Sequence, residues 1–132
     1  MLELRPTCEN CNTLLPPNSL EAMICSYECT FCKDCVQNLL FNVCPNCGGG
    51  FSLRPIRPKH NWKDNNYLGT SPATTKQVHR PVNVIEHAAF SQELRNITPE
   101  KRWYLNQYQN IQKFNFALGQ KDSQWRPSLF TF

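Results

Sequence analysis

Eight cysteines within the first 47 residues, arranged as four short pairs, constrain this 132-residue chain more than any other feature. The pairs are Cys8-x2-Cys11, Cys25-x3-Cys29, Cys32-x2-Cys35 and Cys44-x2-Cys47, separated by thirteen, two and eight residues. A C-x2-C step curls the backbone so that both sulfurs converge on one ion, and two such steps complete the tetrahedral four-sulfur set that Zn²⁺ prefers. Disulfide frameworks rarely show such pairing, and in a reducing compartment cysteines more often bind metal. The segment Cys44-Pro45-Asn46-Cys47-Gly48-Gly49 adds local chemistry: Pro fixes φ on entry, and Gly tolerates the φ > 0 that the exit usually demands. The run from Cys25 to Cys35 has ferredoxin-like spacing only with its order changed, which favours zinc over an iron–sulfur cluster. A catalytic zinc normally keeps one position open to water, whereas eight thiolates fill two closed sites.

Four pairs can be combined into two sites in sequential, nested or crossed fashion. Only two residues separate Cys29 from Cys32, so a single strand can pass between two metals and hand one pair to each. The expected partition is therefore crossed, with two Zn²⁺ per chain. One is held by Cys8, Cys11, Cys32 and Cys35, the other by Cys25, Cys29, Cys44 and Cys47.

Ala22-Met23-Ile24 and Thr30-Phe31 read as short strands around a turn at Ser26-Tyr27-Glu28. Val36, Leu39, Leu40 and Val43 fall at i, i+3, i+4 and i+7, the stripe of a short helix beginning near Cys35. A helix N-terminus against the sulfurs of Cys32 and Cys35 would favour thiolate over thiol. Together with Leu14, Leu15, Ile24 and Phe31 these side chains are too few for an ordinary core. Structural zinc supplies the difference, at about 10–16 kcal/mol of apparent binding energy in small modules.

The 85 residues after Cys47 contain no cysteine, and the charge changes sign there too. Met1 to Pro58 carries 4 Lys/Arg against 5 Asp/Glu, and the remainder 10 against 5. Residues 1–57 are thus expected to form a two-zinc module, made more acidic by its thiolates, and the rest a basic extension that docks on it or serves another partner. Pro55, Pro58, Pro72 and Pro81 among polar residues mark 58–82 as a linker, and 83–132 reads as a helical tail. Asn83 with Glu86 three residues later caps a first helix through about Arg95. Thr98-Pro99-Glu100 starts a second, which can run to Leu118 before Gly119. On it Tyr104, Tyr108, Ile111 and Leu118 line one stripe, widened by Trp103, Phe114 and Phe116. Lys101, Arg102, Lys113 and Lys121 interleave with these aromatics, a pattern compatible with nucleic acid but of modest charge density. His60, His79 and His87 lie outside the cysteine spacing and are expected to be surface residues. The terminal segment from Trp125 to Phe132 is apolar enough to tuck into the body or to act as a docking peptide.

The eight positions resemble a RING-type cross-brace, with Cys29 where most RING domains carry His. More closely, Met1 to Pro6, Cys25-Ser26-Tyr27-Glu28-Cys29-Thr30-Phe31-Cys32, Asp34-Cys35, Cys44-Pro45-Asn46-Cys47-Gly48-Gly49 and Arg54-Pro55 are similar to a short bacterial family, domain of unknown function 1272. That resemblance covers residues 1 to about 58. It implies an eight-cysteine zinc protein without established activity and a small α+β, RING-like or treble-clef fold with two interleaved four-cysteine sites. RING ligases usually place an aliphatic residue before the second cysteine and a basic one after the last, where this chain has Asn10 and Gly48; Pro45 matches their pattern. The expectation is a zinc-binding, non-enzymatic adaptor with a protein partner. A ubiquitin ligase and a nucleic-acid-binding protein are the alternatives. The N-terminus lacks the apolar core of a signal peptide and no run of about 18 apolar residues occurs, so a cytoplasmic protein without a membrane span is expected.

Overall fold

The computed structural model describes residues 1–104. A three-stranded antiparallel sheet of order β2-β1-β3 organises the first half of the chain, with β1 at Ala22–Ile24, β2 at Thr30–Cys32 and β3 at Ser52–Leu53. Met23 pairs with Phe31 on one side and with Leu53 on the other. The turn between β1 and β2 holds Glu28 at φ 66, the left-handed conformation that lets the extra residue of the Cys25-x3-Cys29 pair be accommodated. Both expected strands are present, and β3 is an addition. Two exposed residues with no alternation beyond them give strand-pattern reasoning nothing to read.

The expected short helix is present but begins earlier than near Cys35. Helix α1, Lys33–Cys35, starts directly from β2 and widens into a π-type turn over Val36–Leu40. Phe41 and Asn42 then adopt left-handed backbone, φ 53 and 57, and end it. Val36 and Leu40 are fully buried; Val43 is buried too, from the loop beyond the helix. Phe31, on the central register, meets Phe51 edge to face at 5.5 Å between ring centroids. Leu14 is a correction: at 74% exposure it lies outside the core, while Leu15 beside it is buried. Leu4, not singled out in the sequence, is buried instead.

The module is closed by its own last residues. Arg54, 4% exposed, donates from Nη1 to the carbonyl of Arg5 and from Nη2 to those of Leu15 and Pro16. Arg57 reaches the carbonyls of Leu2 and Ser71. Past it the chain runs without helix or strand until α2, Val84–Leu94, where Asn83 Oδ1 accepts from Glu86 N at 3.0 Å as the expected N-cap. Helix α2 packs on the helical turn Val36–Leu40 through His87 and Ser91, both buried, rather than through Val84, Ile85 and Phe90, which are exposed. The surface expectation for His87 is thereby overturned: its Nε2 lies 2.9 Å from the carbonyl of Leu40. His79 and His60 are exposed. Thr98 and Pro99 begin α3, Pro99–Arg102, as expected at N-cap and N1; the remainder of the expected second helix, with Tyr108, Ile111, Phe114, Phe116 and Leu118, and the terminal segment from Trp125 to Phe132, lie outside the described residues. No helix among the described residues is long and apolar enough to cross a membrane.

Candidate metal centres

Each centre is built from one knuckle and one pair presented by the β1-β2-α1 unit. At the first, the backbone N–H of Asn12 donates to the carbonyl of Cys8 at 3.0 Å, closing the Cys8-x2-Cys11 loop, and Asn12 leaves it at φ 64. At the second, Gly48 N donates to Cys44 O at 2.8 Å and Gly48 leaves at φ 79, the exit conformation expected of the glycine. The other pairs sit on either side of β2. Cys25 and Cys29 flank the turn before it, and Cys32 and Cys35 bracket the start of α1. One strand therefore has a cysteine pair at each of its ends.

The sulfurs of Cys8, Cys11, Cys32 and Cys35 all lie within 4.8 Å of one another, as do those of Cys25, Cys44 and Cys47. Cys29 is outside that three-sulfur set; it is buried, its carbonyl accepts from Cys25 N at 3.2 Å, and Asn46 Nδ2 donates to its sulfur at 3.3 Å. All eight cysteines are free rather than joined as disulfides. In the four-cysteine group Cys8 Sγ is 3.8 Å from Cys35 Sγ, and Cys11 Sγ is 3.7 Å from Cys32 Sγ. Four sulfurs at about 2.3 Å from a tetrahedral zinc are about 3.8 Å apart along each edge. The donor set therefore fits Zn²⁺ in chemistry and in size, and the two cysteine groups can hold metal ions.

Backbone amides add to that fit. Cys11 N points at Cys8 Sγ at 3.5 Å, Tyr27 N at Cys25 Sγ at 3.3 Å, Asn46 N at Cys44 Sγ at 3.4 Å and Gly49 N at Cys47 Sγ at 3.4 Å. Such donors offset the negative charge of thiolates and do little for neutral thiols. Burial opposes ionisation. It pushes the Cys32 thiol up to about 11, and raises Cys29, Cys35 and Cys44 as well, against amide donors at the same sulfurs. At Cys11 burial acts in the same direction but is outweighed by hydrogen bonds from the Thr13 side chain and backbone, which bring it down to about 7.

A pH dependence follows with a definite sign. At pH 7 the metal-free thiols of Cys29, Cys32, Cys35 and Cys44 hold their protons and Cys11 is about half ionised, so loading must expel protons. Metal affinity is expected to fall as pH falls from 7 to 5. Calorimetric titration with zinc in two buffers of different ionisation enthalpy measures the proton release directly; equal heats in both would contradict it.

Spacing alone missed the groups that surround the sulfurs. Asn10 and Asn46 occupy the same place, immediately before the second cysteine of a knuckle, and both reach a sulfur of the pair across the site. That repetition, Cys-x-Asn-Cys twice, is the signal in the sequence that could have revealed them. Glu9, 2% exposed, lies between Arg5 and Arg80 and accepts from Asn46 Nδ2 at 3.0 Å.

Comparison with known proteins agrees with the cysteine-rich half of the chain. Residues 1–57 match the family described as "Protein of unknown function (DUF1272)". An uncharacterized protein of Rhizobium meliloti (strain 1021) is 48% identical over 81 residues, which are 61% of this chain and 89% of that protein. The aligned stretch exceeds the 57 residues of the family match by 24, so the likeness continues past the cysteine module. No solved structure matches the chain. With its four cysteine pairs at this spacing and a relative this similar along most of its length, the chain belongs to the DUF1272 family.

Proposed function

We propose that this protein is a non-enzymatic zinc-binding adaptor: a RING-like, treble-clef module whose two interleaved sites are Cys8, Cys11, Cys32 and Cys35, and Cys25, Cys29, Cys44 and Cys47. The observation that carries the zinc reading is the closed four-sulfur group, with sulfur separations of 3.7 and 3.8 Å that suit a tetrahedral ion and leave it no open position. Cys29 completes the second set, held near it by Asn46. With its metals enclosed by thiolates, the module acts through its surface. Leu14, Leu20 and Tyr27 project from it at 74%, 70% and 74% exposure, a supply of apolar contact for a cytoplasmic protein partner.

Two further contacts favour this over ubiquitin transfer. The amide of Asn10 is spent between Cys35 Sγ and Val82 N, and Gly48 is buried under Phe90 and Leu94. These are the positions where a ligase of RING type would receive its conjugating enzyme. Nucleic-acid binding is likewise weakened, because Arg102 spends its guanidinium on the carbonyls of Leu94, Ile97, Asn42 and Gly48; Lys113 and Lys121 lie outside the described residues. Elemental analysis of protein purified without added metal is expected to give two zinc per chain. Iron with acid-labile sulfide, or a zinc content below one, defeats the reading.

A further inference from the structure

The two knuckle asparagines serve the sulfurs and the following chain at once. Asn10 Nδ2 donates to Cys35 Sγ at 3.3 Å, while Oδ1 of the same amide accepts from Val82 N at 2.8 Å. His79 Nε2 adds a contact to the carbonyl of Asn10 at 3.1 Å. Asn46 Nδ2 divides its two hydrogens between Cys29 Sγ and Glu9 Oε2. Glu9 in turn receives Arg80 twice, its carbonyl from Arg80 N at 2.8 Å and Oε2 from Arg80 Nη2 at 3.4 Å. Further along, α2 closes on Gly48, the residue after Cys47, and Arg102 Nη1 donates to the Gly48 carbonyl at 3.1 Å.

We infer that residues 79–102 form a latch whose docking is coupled to metal retention, with Asn10 and Asn46 as the positioning residues that connect the two. The inference rests on the zinc reading above. An amide group is planar, so fixing its nitrogen on one partner fixes the direction of its oxygen. A metal-bound thiolate is a charged acceptor that pins the Asn10 nitrogen, and the oxygen is then held toward Val82 N. A protonated thiol is a weak acceptor and leaves the amide free to turn. At the second centre both contacts come from Asn46 Nδ2, whose two hydrogens lie in the amide plane, so holding one on Cys29 Sγ directs the other to Glu9 Oε2, which accepts from Arg80. Coupling of this kind is reciprocal: a loaded site tightens the latch, and a docked latch tightens the metal.

The decisive variant is Val82→Pro in the full chain, which removes the N–H that Asn10 accepts and touches no cysteine. Competition with a chromogenic zinc chelator and amide hydrogen exchange over residues 79–95 are read on the same samples. Two zinc are expected to remain, one of them bound about ten-fold more weakly, as is typical when a partner of a metal ligand is lost. Exchange over 79–95 is expected to rise by a similar factor. Asn10→Ala is expected to reproduce both changes, and Ile85→Ala, on the exposed face of α2, neither. Wild-type zinc affinity in Val82→Pro and Asn10→Ala overturns the latch while leaving the zinc reading intact; a chain that carries no metal as purified overturns both at the first measurement.

Discussion

Removing the metals is expected to abolish the cooperative thermal transition of the module, and Cys44→Ala is expected to do so at the cost of both sites rather than one. Among the described residues thirteen apolar side chains are buried, and six of them are cysteines. The other seven, Leu4, Leu15, Ala22, Phe31, Val36, Leu40 and Val43, contribute about 1.5–3 kcal/mol each for the larger ones. That is too little for a module of this size without a staple, and a structural zinc would supply about 10–16 kcal/mol at each site it occupied. Interlocking makes the loss mutual. Cys29 immediately precedes the three-residue strand Thr30–Cys32 and Cys32 ends it, so a chain freed at the second centre is also expected to lose the strand that presents Cys32 to the first. Cys44→Ala is expected to destabilise by more than about 5 kcal/mol, the range reserved for loss of a metal or disulfide. Thermal melts followed by circular dichroism, with zinc counted on the same protein, test this. A Cys44→Ala chain that keeps one zinc and a wild-type melting temperature would falsify the interlocked arrangement.

Arg54→Ala is expected to cost about 3–5 kcal/mol with the zinc content unchanged. The guanidinium is buried, burial holds its affinity for the proton below the ordinary arginine value, and among the described residues no carboxylate pairs with it. Its compensation is three backbone carbonyls, Arg5, Leu15 and Pro16, taken by two nitrogens from two separate parts of the N-terminal segment. A hydrogen bond from a charged donor is worth about 1.5–3 kcal/mol, and truncation takes that donor from three acceptors, of which the contact to Leu15 is buried and those to Arg5 and Pro16 are part-buried. Arg54→Lys is expected to recover less than half, since a single ammonium cannot span carbonyls that the fork reaches from both sides. Chemical denaturation of the zinc-loaded protein reads both variants; a shift of less than about 1 kcal/mol for the alanine variant would remove Arg54 from any role in closing the module.

The parts of this fold that the sequence made legible are those in which a residue acts within a few positions of itself. The short step between Cys29 and Cys32 suggested a crossed grouping, and the sulfurs of Cys8, Cys11, Cys32 and Cys35 gather in one group and those of Cys25, Cys44 and Cys47 in another. Gly48 announced its own left-handed backbone, Asn83 its own cap, and β1 and β2 their turn. What lay beyond reach depends on distant partners of ordinary type. Arg54, Arg57 and Arg102 bind carbonyls, which every residue carries, so no spacing points to them. His87 and Ser91 are the buried face of α2 while Val84, Ile85 and Phe90 are outside, the reverse of what amphipathic periodicity assumes. Leu14 and Leu15 are adjacent and equivalent in the sequence, and only the pairing of Thr7 with Leu14 decides which of them faces the core.

The spacing of the four cysteine pairs by itself pointed to metal-binding groups, because a step of two or three residues is short enough to bring two sulfurs together, and the fold gathers Cys8, Cys11, Cys32 and Cys35, and Cys25, Cys44 and Cys47, into groups that could hold a metal ion. Tertiary structure alone decided that Asn10, Asn46 and Glu9 tie those sulfurs to residues 79–82, and that α2 lies over the second knuckle. The physical reason is that the links to residues 80 and 82 span 71 and 72 positions through single hydrogen bonds, and such a bond leaves no periodic trace that names its distant partner.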